Sequence, residues 1–160
     1  MKLLFWVLSF GFVSYYSMNM DKTSTTEHRK HLSETPVNNK LKNNKMKLKI
    51  DSHTFNATLF NNKTVEALKN TLPLTLNMSD LNSNEKYAQI STDLPTNKED
   101  IGTIKEGDIM LWGENTLVIF YKSFKTSYQY TKLGSIENPA RFVSLVGKGS
   151  LKVTFEMDED

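Results

Sequence analysis

Two apolar stretches constrain this chain more than anything else in it: Leu72-Pro-Leu-Thr-Leu-Asn-Met-Ser-Asp-Leu81 and Gly107-Asp-Ile-Met-Leu-Trp-Gly-Glu-Asn-Thr-Leu-Val-Ile-Phe-Tyr121. Both are short and rich in branched and aromatic side chains, the signature of strands. In the second, Gly113-Glu-Asn115 separates residues 109–112 from 116–121, so the chain reverses through a three-residue hairpin loop. Such strands belong to a small, closed β-structure.

The neighbouring segments extend the pattern. Residues 47–51 alternate apolar and polar side chains, and residues 53–59 do so again, with Asp51 and Ser52 between them. That is a hairpin with one buried face. Asn61 or Asn62 then caps a helix over residues 63–71, which carries Val65, Leu68 and Leu72 on one side and stops before Pro73. Further strands are expected at 75–79, 85–90, 132–136 and 151–155, a polar loop at 93–100 and a turn at 105–108. A second helix is expected over 140–146, with Asn138 as its cap, Pro139 at its first position and Gly147 and Gly149 at its end. Short strands at close spacing favour a barrel, and the crossovers are too few for a doubly wound parallel sheet.

Composition excludes several kinds of chemistry. The 160 residues contain no cysteine, which removes disulfides, zinc–thiolate sites and cysteine nucleophiles. A net charge of +2 is too small to imply a polyanion, so no nucleic-acid partner is expected. Gly102, Gly107 and Gly113 are isolated turn glycines; with neither a phosphate loop nor a dinucleotide fingerprint, no cofactor is expected. The pair His28 and His31 lacks a third ligand, and the run from Met78 through Asp80 to Asn82 and Asn84 lacks the acidic spacing of a calcium loop, so no metal site is assigned. His53 beside a hairpin turn reads as a surface residue rather than a general base.

The N-terminus is organised differently. Met1 and Lys2 precede an uncharged apolar run over residues 3–16, the shape of a signal peptide. Bulky Tyr15 and Tyr16 stand where a cleavage site wants small residues, so residues 1–20 read either as a cleaved export signal or as an N-terminal membrane anchor. Residues 21–45 are polar and lysine-rich and cannot bury enough surface to offset their chain entropy. They read as a flexible linker leading to a domain over 46–157, exported to the periplasm, the exterior or the outer surface of a membrane.

Several blocks in this domain occur in an order that resembles one family. They are Leu72-Pro-Leu-Thr-Leu-Asn-Met-Ser-Asp-Leu81, Asn84-Glu-Lys-Tyr87, Leu94-Pro-Thr96, Gly107-Asp-Ile-Met110, Val118-Ile-Phe-Tyr-Lys-Ser-Phe124 and Tyr128-Gln-Tyr-Thr-Lys-Leu-Gly134. The chain resembles the small bacterial cyclophilin-like domains over about residues 46–157. The resemblance implies a mainly β fold, a closed cyclophilin-like β-barrel with two short capping helices. It also implies a relation to peptidyl-prolyl isomerases, which hold a substrate proline with an arginine of a Phe-His-Arg strand. The matching strand here is Tyr87-Ala-Gln-Ile90, where Gln89 donates hydrogen bonds but carries no charge. The domain's one arginine, Arg141, is far away in sequence.

No catalytic residue is therefore assigned. The reading is a binding module for a small molecule or peptide, with an isomerase of degenerate active site as the alternative. Its groove would be lined by Met78, Tyr87, Gln89, Tyr121, Phe124 and Tyr128, with Lys122 supplying charge, since aromatic walls with a few polar groups suit such ligands. The segment 121–128 is expected to be a strand end and loop, and Trp112 to pack the core and its rim.

Overall fold

A computed structural model describes residues 43–159. The readings of residues 1–20 and of the linker up to residue 42 lie outside the described residues. Lys45, assigned to the linker, already belongs to the first strand. Among the described residues are nine strands and two helices: β1 (Lys45–Ile50), β2 (His53–Leu59), α1 (Lys63–Lys69), β3 (Leu74–Leu81), β4 (Glu85–Gln89), β5 (Glu99–Ile104), β6 (Asp108–Trp112), β7 (Thr116–Phe120), β8 (Phe124–Ile136), α2 (Ala140–Leu145) and β9 (Leu151–Met157).

The strands follow the order β2-β1-β9-β3-β4-β7-β6-β8-β5, and an additional β2–β8 pairing closes all but β5 into a ring. Every pairing is antiparallel. Ring closure depends on a close approach at Gly134, which pairs with Leu59. A Cβ at residue 134 would lie 2.4 Å from the Thr58 carbonyl oxygen, so only glycine admits the neighbouring backbone there.

Alternation sends one side of each strand into the ring. Met46, Leu48, Ile50, Phe55, Ala57, Leu59, Leu111, Ile119, Leu133, Val153 and Phe155 form this interior. Each large side chain contributes on the order of 1.5–3 kcal/mol on burial. The Asn62 side chain caps α1 by accepting from the Val65 N–H at 2.9 Å, and it donates to the Lys132 carbonyl at 2.9 Å, which fixes α1 against β8. Buried Phe142 of α2 packs edge-on against Phe55, with ring centroids 5.6 Å apart.

A second apolar cluster lies on the other face of the same sheet. Ile104, Met110, Val118, Phe120 and Tyr130 are buried there, with Tyr87, Ile101 and Phe124 packed around them. This cluster exists because β8 is much longer than the expected strand over 132–136. Its thirteen residues begin at Phe124, and its first part pairs with β5 as a wing laid against the outer side of the ring.

Three further differences from the sequence reading have local causes. Segment 124–128 is strand rather than loop, because β5 pairs with it from Glu99↔Tyr130 to Ile104↔Phe124. β5 falls partly in the expected polar loop: its composition is charged and glycine-containing, as suits an edge strand, with a register irregularity around Gly102 at φ +68°. Asn138 does not cap α2; it has φ 51°, Pro139 takes the cap position and no side chain bonds the helix start.

Candidate functional site

β7 is buried on both faces, and β4 is buried on both at Glu85 and Lys86, so these strands have two environments one residue apart. On the ring side lies Lys86, whose side chain is 1% exposed. Its ammonium donates to Asp80 Oδ2 at 2.7 Å and to the carbonyls of Gly147 and Gly149 at 2.6 and 2.8 Å. It also sits 5.3 Å from the centre of the Tyr121 ring, and the Tyr121 hydroxyl donates to Asp80 Oδ2 at 2.6 Å. The bonds from Lys86 and Tyr121 hold the Asp80 carboxyl below its ordinary range, while burial and the hydrogen bond to Asp80 push the Tyr121 hydroxyl up to about 12. A buried ammonium needs several acceptors, and Lys86 has them. This network ties the segment after α2 to β3 and β4.

On the outer side the floor is built by odd-numbered residues of β4, Glu85, Tyr87 and Gln89. They stand beside Phe120, Val118 and Thr116 of β7 in direct register. β3 pairs with β4 only from Ser79 to Leu81; from Leu74 to Met78 it pairs with β9. The two strands therefore diverge beyond Tyr87. Between this divergence and the β8 wing opens a cleft of about 700 Å³. Thr75, Asn77 and Ser79 line its β3 side, Tyr87 and Gln89 its floor, and Phe124, Tyr128 and Tyr130 its wing side, with Trp112 also in the wall.

Glu85 also lines the cleft and is only 7% exposed. Among the described residues its carboxylate has neither a hydrogen bond nor an ion pair. Burial, with a smaller contribution from the Asp80 charge, pushes the Glu85 carboxyl up to about 7. Burial and the nearby Glu85 charge push the Tyr130 hydroxyl up to about 12. Asn84, in the same lining, has a buried side-chain oxygen without a donor.

The structure brings together four of the seven expected groove residues: Tyr87, Gln89, Phe124 and Tyr128. Met78 and Tyr121 are buried in the ring interior, one residue out of phase with the cleft. Lys122 is exposed at the bend between β7 and β8 and is not part of the lining. Trp112, expected to pack, is instead 54% exposed at the cleft. Arg141 is remote from it, with its guanidinium 5.7 Å from the Phe55 ring centre. Glu85 was not anticipated as a site residue. Its signal was faint: a glutamate on the alternation that also selects Tyr87 and Gln89.

Residues 48–156 match the model of a family described as the cyclophilin-like family. The fold is similar to the solution structure of a hypothetical protein from Archaeoglobus fulgidus, with TM-score 0.52 and 18% identity, covering 71% of this chain and 94% of that one. No curated protein matches the sequence. With a matched segment that spans most of the chain and takes in the ring, the wing and the cleft between them, the chain belongs to the cyclophilin-like family.

Proposed function

We propose that this domain is a non-catalytic binding module whose ring forms a barrel, and that the outer-face cleft receives a small molecule or a peptide. The observation that carries this reading is the cleft itself. It has the volume of a ligand site, aromatic walls, and polar groups on β3 and β4 at its floor. The strand edge of β3 opposite β9, from Leu74 to Met78, has no strand partner among the described residues, and such an edge suits an extended peptide. The leader at residues 1–20 would carry the domain out of the cytoplasm, as a secreted or membrane-tethered protein of bacterial type.

The test is a fragment and peptide screen on the isotopically labelled full chain, read by amide and side-chain NMR shifts. Ligands should perturb Tyr87, Gln89, Trp112 and Tyr128 together. Hits that cluster elsewhere, or no hits at all, would remove the cleft from consideration.

Gln89 carries a second reading, prolyl isomerisation, because it faces the cleft from the strand that resembles the arginine-bearing strand of the isomerases. A neutral amide stabilises a twisted peptide bond less than a guanidinium does. The expected result with a panel of Xaa-Pro peptides is the spontaneous rate. Acceleration that disappears in Gln89→Ala would replace the first reading with this one.

A further inference from the structure

We propose that the outer-face cleft binds a small organic cation, an ammonium or guanidinium group on a compact apolar body, with Glu85 as its counter-ion, Tyr87 on its floor and Tyr128 and Tyr130 on its wing side. This rests on the cleft being a ligand site and names the chemistry of the ligand.

The charge inventory of the lining is one-sided. Among the described residues, Glu85 is the only lining residue with a carboxyl, amine, guanidinium or imidazole side chain; no described lysine, arginine or histidine lines the cleft. An anion would find no cation there and would face a carboxylate. A neutral ligand without a donor would cover Glu85 and leave it without a partner, and a neutral donor would leave its charge uncompensated, which is costly for an ionised group. A cation supplies what the site lacks. The walls add to this, because aromatic faces carry the negative end of the ring quadrupole and attract ammonium and guanidinium groups. The side-chain oxygen of Asn84, next in sequence to Glu85 and also in the lining, is buried without a donor.

The same carboxylate has no structural duty of the kind seen one residue away. Lys86 and Asp80 are satisfied by each other, by two carbonyls and by the Tyr121 hydroxyl. Asp80 is the titratable group that acts on Glu85, and the Glu85 charge in turn acts on Tyr121 and Tyr130. Asp80 is held low and both tyrosines are held near 12, so of these groups Glu85 alone changes charge between pH 6 and 8. Binding of a cation should therefore strengthen over that interval.

The experiment is a pair of NMR titrations of the full chain, with benzyltrimethylammonium as the cationic probe and benzyl alcohol as a neutral one. At pH 8 the cation should bind more tightly. E85Q should weaken it by about tenfold, the scale of a desolvated cation–carboxylate contact, while changing benzyl alcohol by less than about twofold. On the unmodified protein the cation's affinity should rise from pH 6 to pH 8 and that of benzyl alcohol should stay level. Equal affinity for the two probes, or an E85Q protein that holds the cation as well as its parent, would overturn the cation inference and leave the cleft as a ligand site. Silence towards both probes would overturn both. Should E85Q fail to fold, Tyr128→Ala replaces it, since Tyr128 is 68% exposed; an unchanged affinity for the cation there would equally sink the proposal.

Discussion

Glu85 and Lys86 are neighbours on β4, both buried and both ionisable, yet they have opposite surroundings. Lys86 points into the ring and meets three oxygen acceptors and an aromatic face. Glu85 points outward into a cleft where no described residue makes a hydrogen bond or ion pair with its carboxylate. The first arrangement is what a fold needs to tolerate a charge in its interior. The second is what a fold keeps when a charge must remain available. Alternation on a single strand thus separates a structural residue from a candidate functional one.

The contrast breaks most visibly at Lys86. Lys86→Met keeps much of the side-chain volume but strips a donor from Asp80 and from the carbonyls of Gly147 and Gly149. Removing one partner of a buried pair should cost about 3 kcal/mol. Urea denaturation would measure it, and a loss below about 1 kcal/mol would show that the network holds the fold less than its geometry implies. Ligand affinity in the outer cleft should change little, because Lys86 lies on the ring side.

At Glu85 the expected sign is the reverse. Its carboxyl has an ordinary value of 4.5 and a folded value of about 7. Between these values the folded state holds a proton that the unfolded state has released, so stability falls as pH rises through that window. Below about pH 4.5 both states are protonated and the penalty vanishes. E85Q should therefore stabilise the protein at pH 8, by about 1–2 kcal/mol once solvent screening at the open cleft is allowed for. Thermal unfolding from pH 4.5 to 8 would show a decline in the parent and a flatter profile in the variant. Asp108, also raised by burial, leaves a smaller decline behind. Asp80 acts in the opposite sense: its carboxyl is lowered, so its contribution is present above the ordinary value of 3.8 and is lost on acidification. A variant less stable than its parent at pH 8 would mean that Glu85 has a partner in solution.

Tyr121→Phe sharpens the comparison on the ring side. It deletes one hydroxyl from a network in which Asp80 keeps the Lys86 ammonium and the Ser83 N–H as donors. The expected cost is about 1 kcal/mol, read from the urea midpoint.

Much of the ring was legible in the sequence, because the hairpin of β1 and β2, the caps of α1 and the reversal at 113–115 are each encoded locally by alternation and turn chemistry. The wing was not. β8 is long because of what pairs with its first half, and in β5 the strand formers Ile101, Thr103 and Ile104 are interrupted by Gly102 and preceded by Glu99 and Asp100, so the pairing leaves no clear local signal. The site was half legible for a related reason. Tyr87 and Gln89 share a phase that alternation identifies, but β7 is buried on both faces, which erases the polar phase that would have placed Phe120 outside and Tyr121 inside. Met78 is a different case: β3 keeps its alternation, which puts Met78 on the inward phase of Leu74 and Leu76, while its exposed neighbours Asn77 and Ser79 line the cleft.

The smallest effect on stability should come from a residue whose effect on binding matches that of Glu85. Tyr128 and Trp112 are two large aromatic side chains held largely in solvent at the cleft, 68% and 54% exposed. The fold gains little from either, so Tyr128→Ala should shift stability by less than about 0.5 kcal/mol. A ligand that covers the ring would bury apolar area now facing water, and truncation of such an aromatic typically costs a complex 1–2 kcal/mol or more, about tenfold in affinity. The two measurements, a melting curve and a titration on the same sample, separate a wall of a binding site from a packing residue. A packing residue would lower the melting temperature and leave the affinity of the folded fraction alone; Tyr128 should do the reverse.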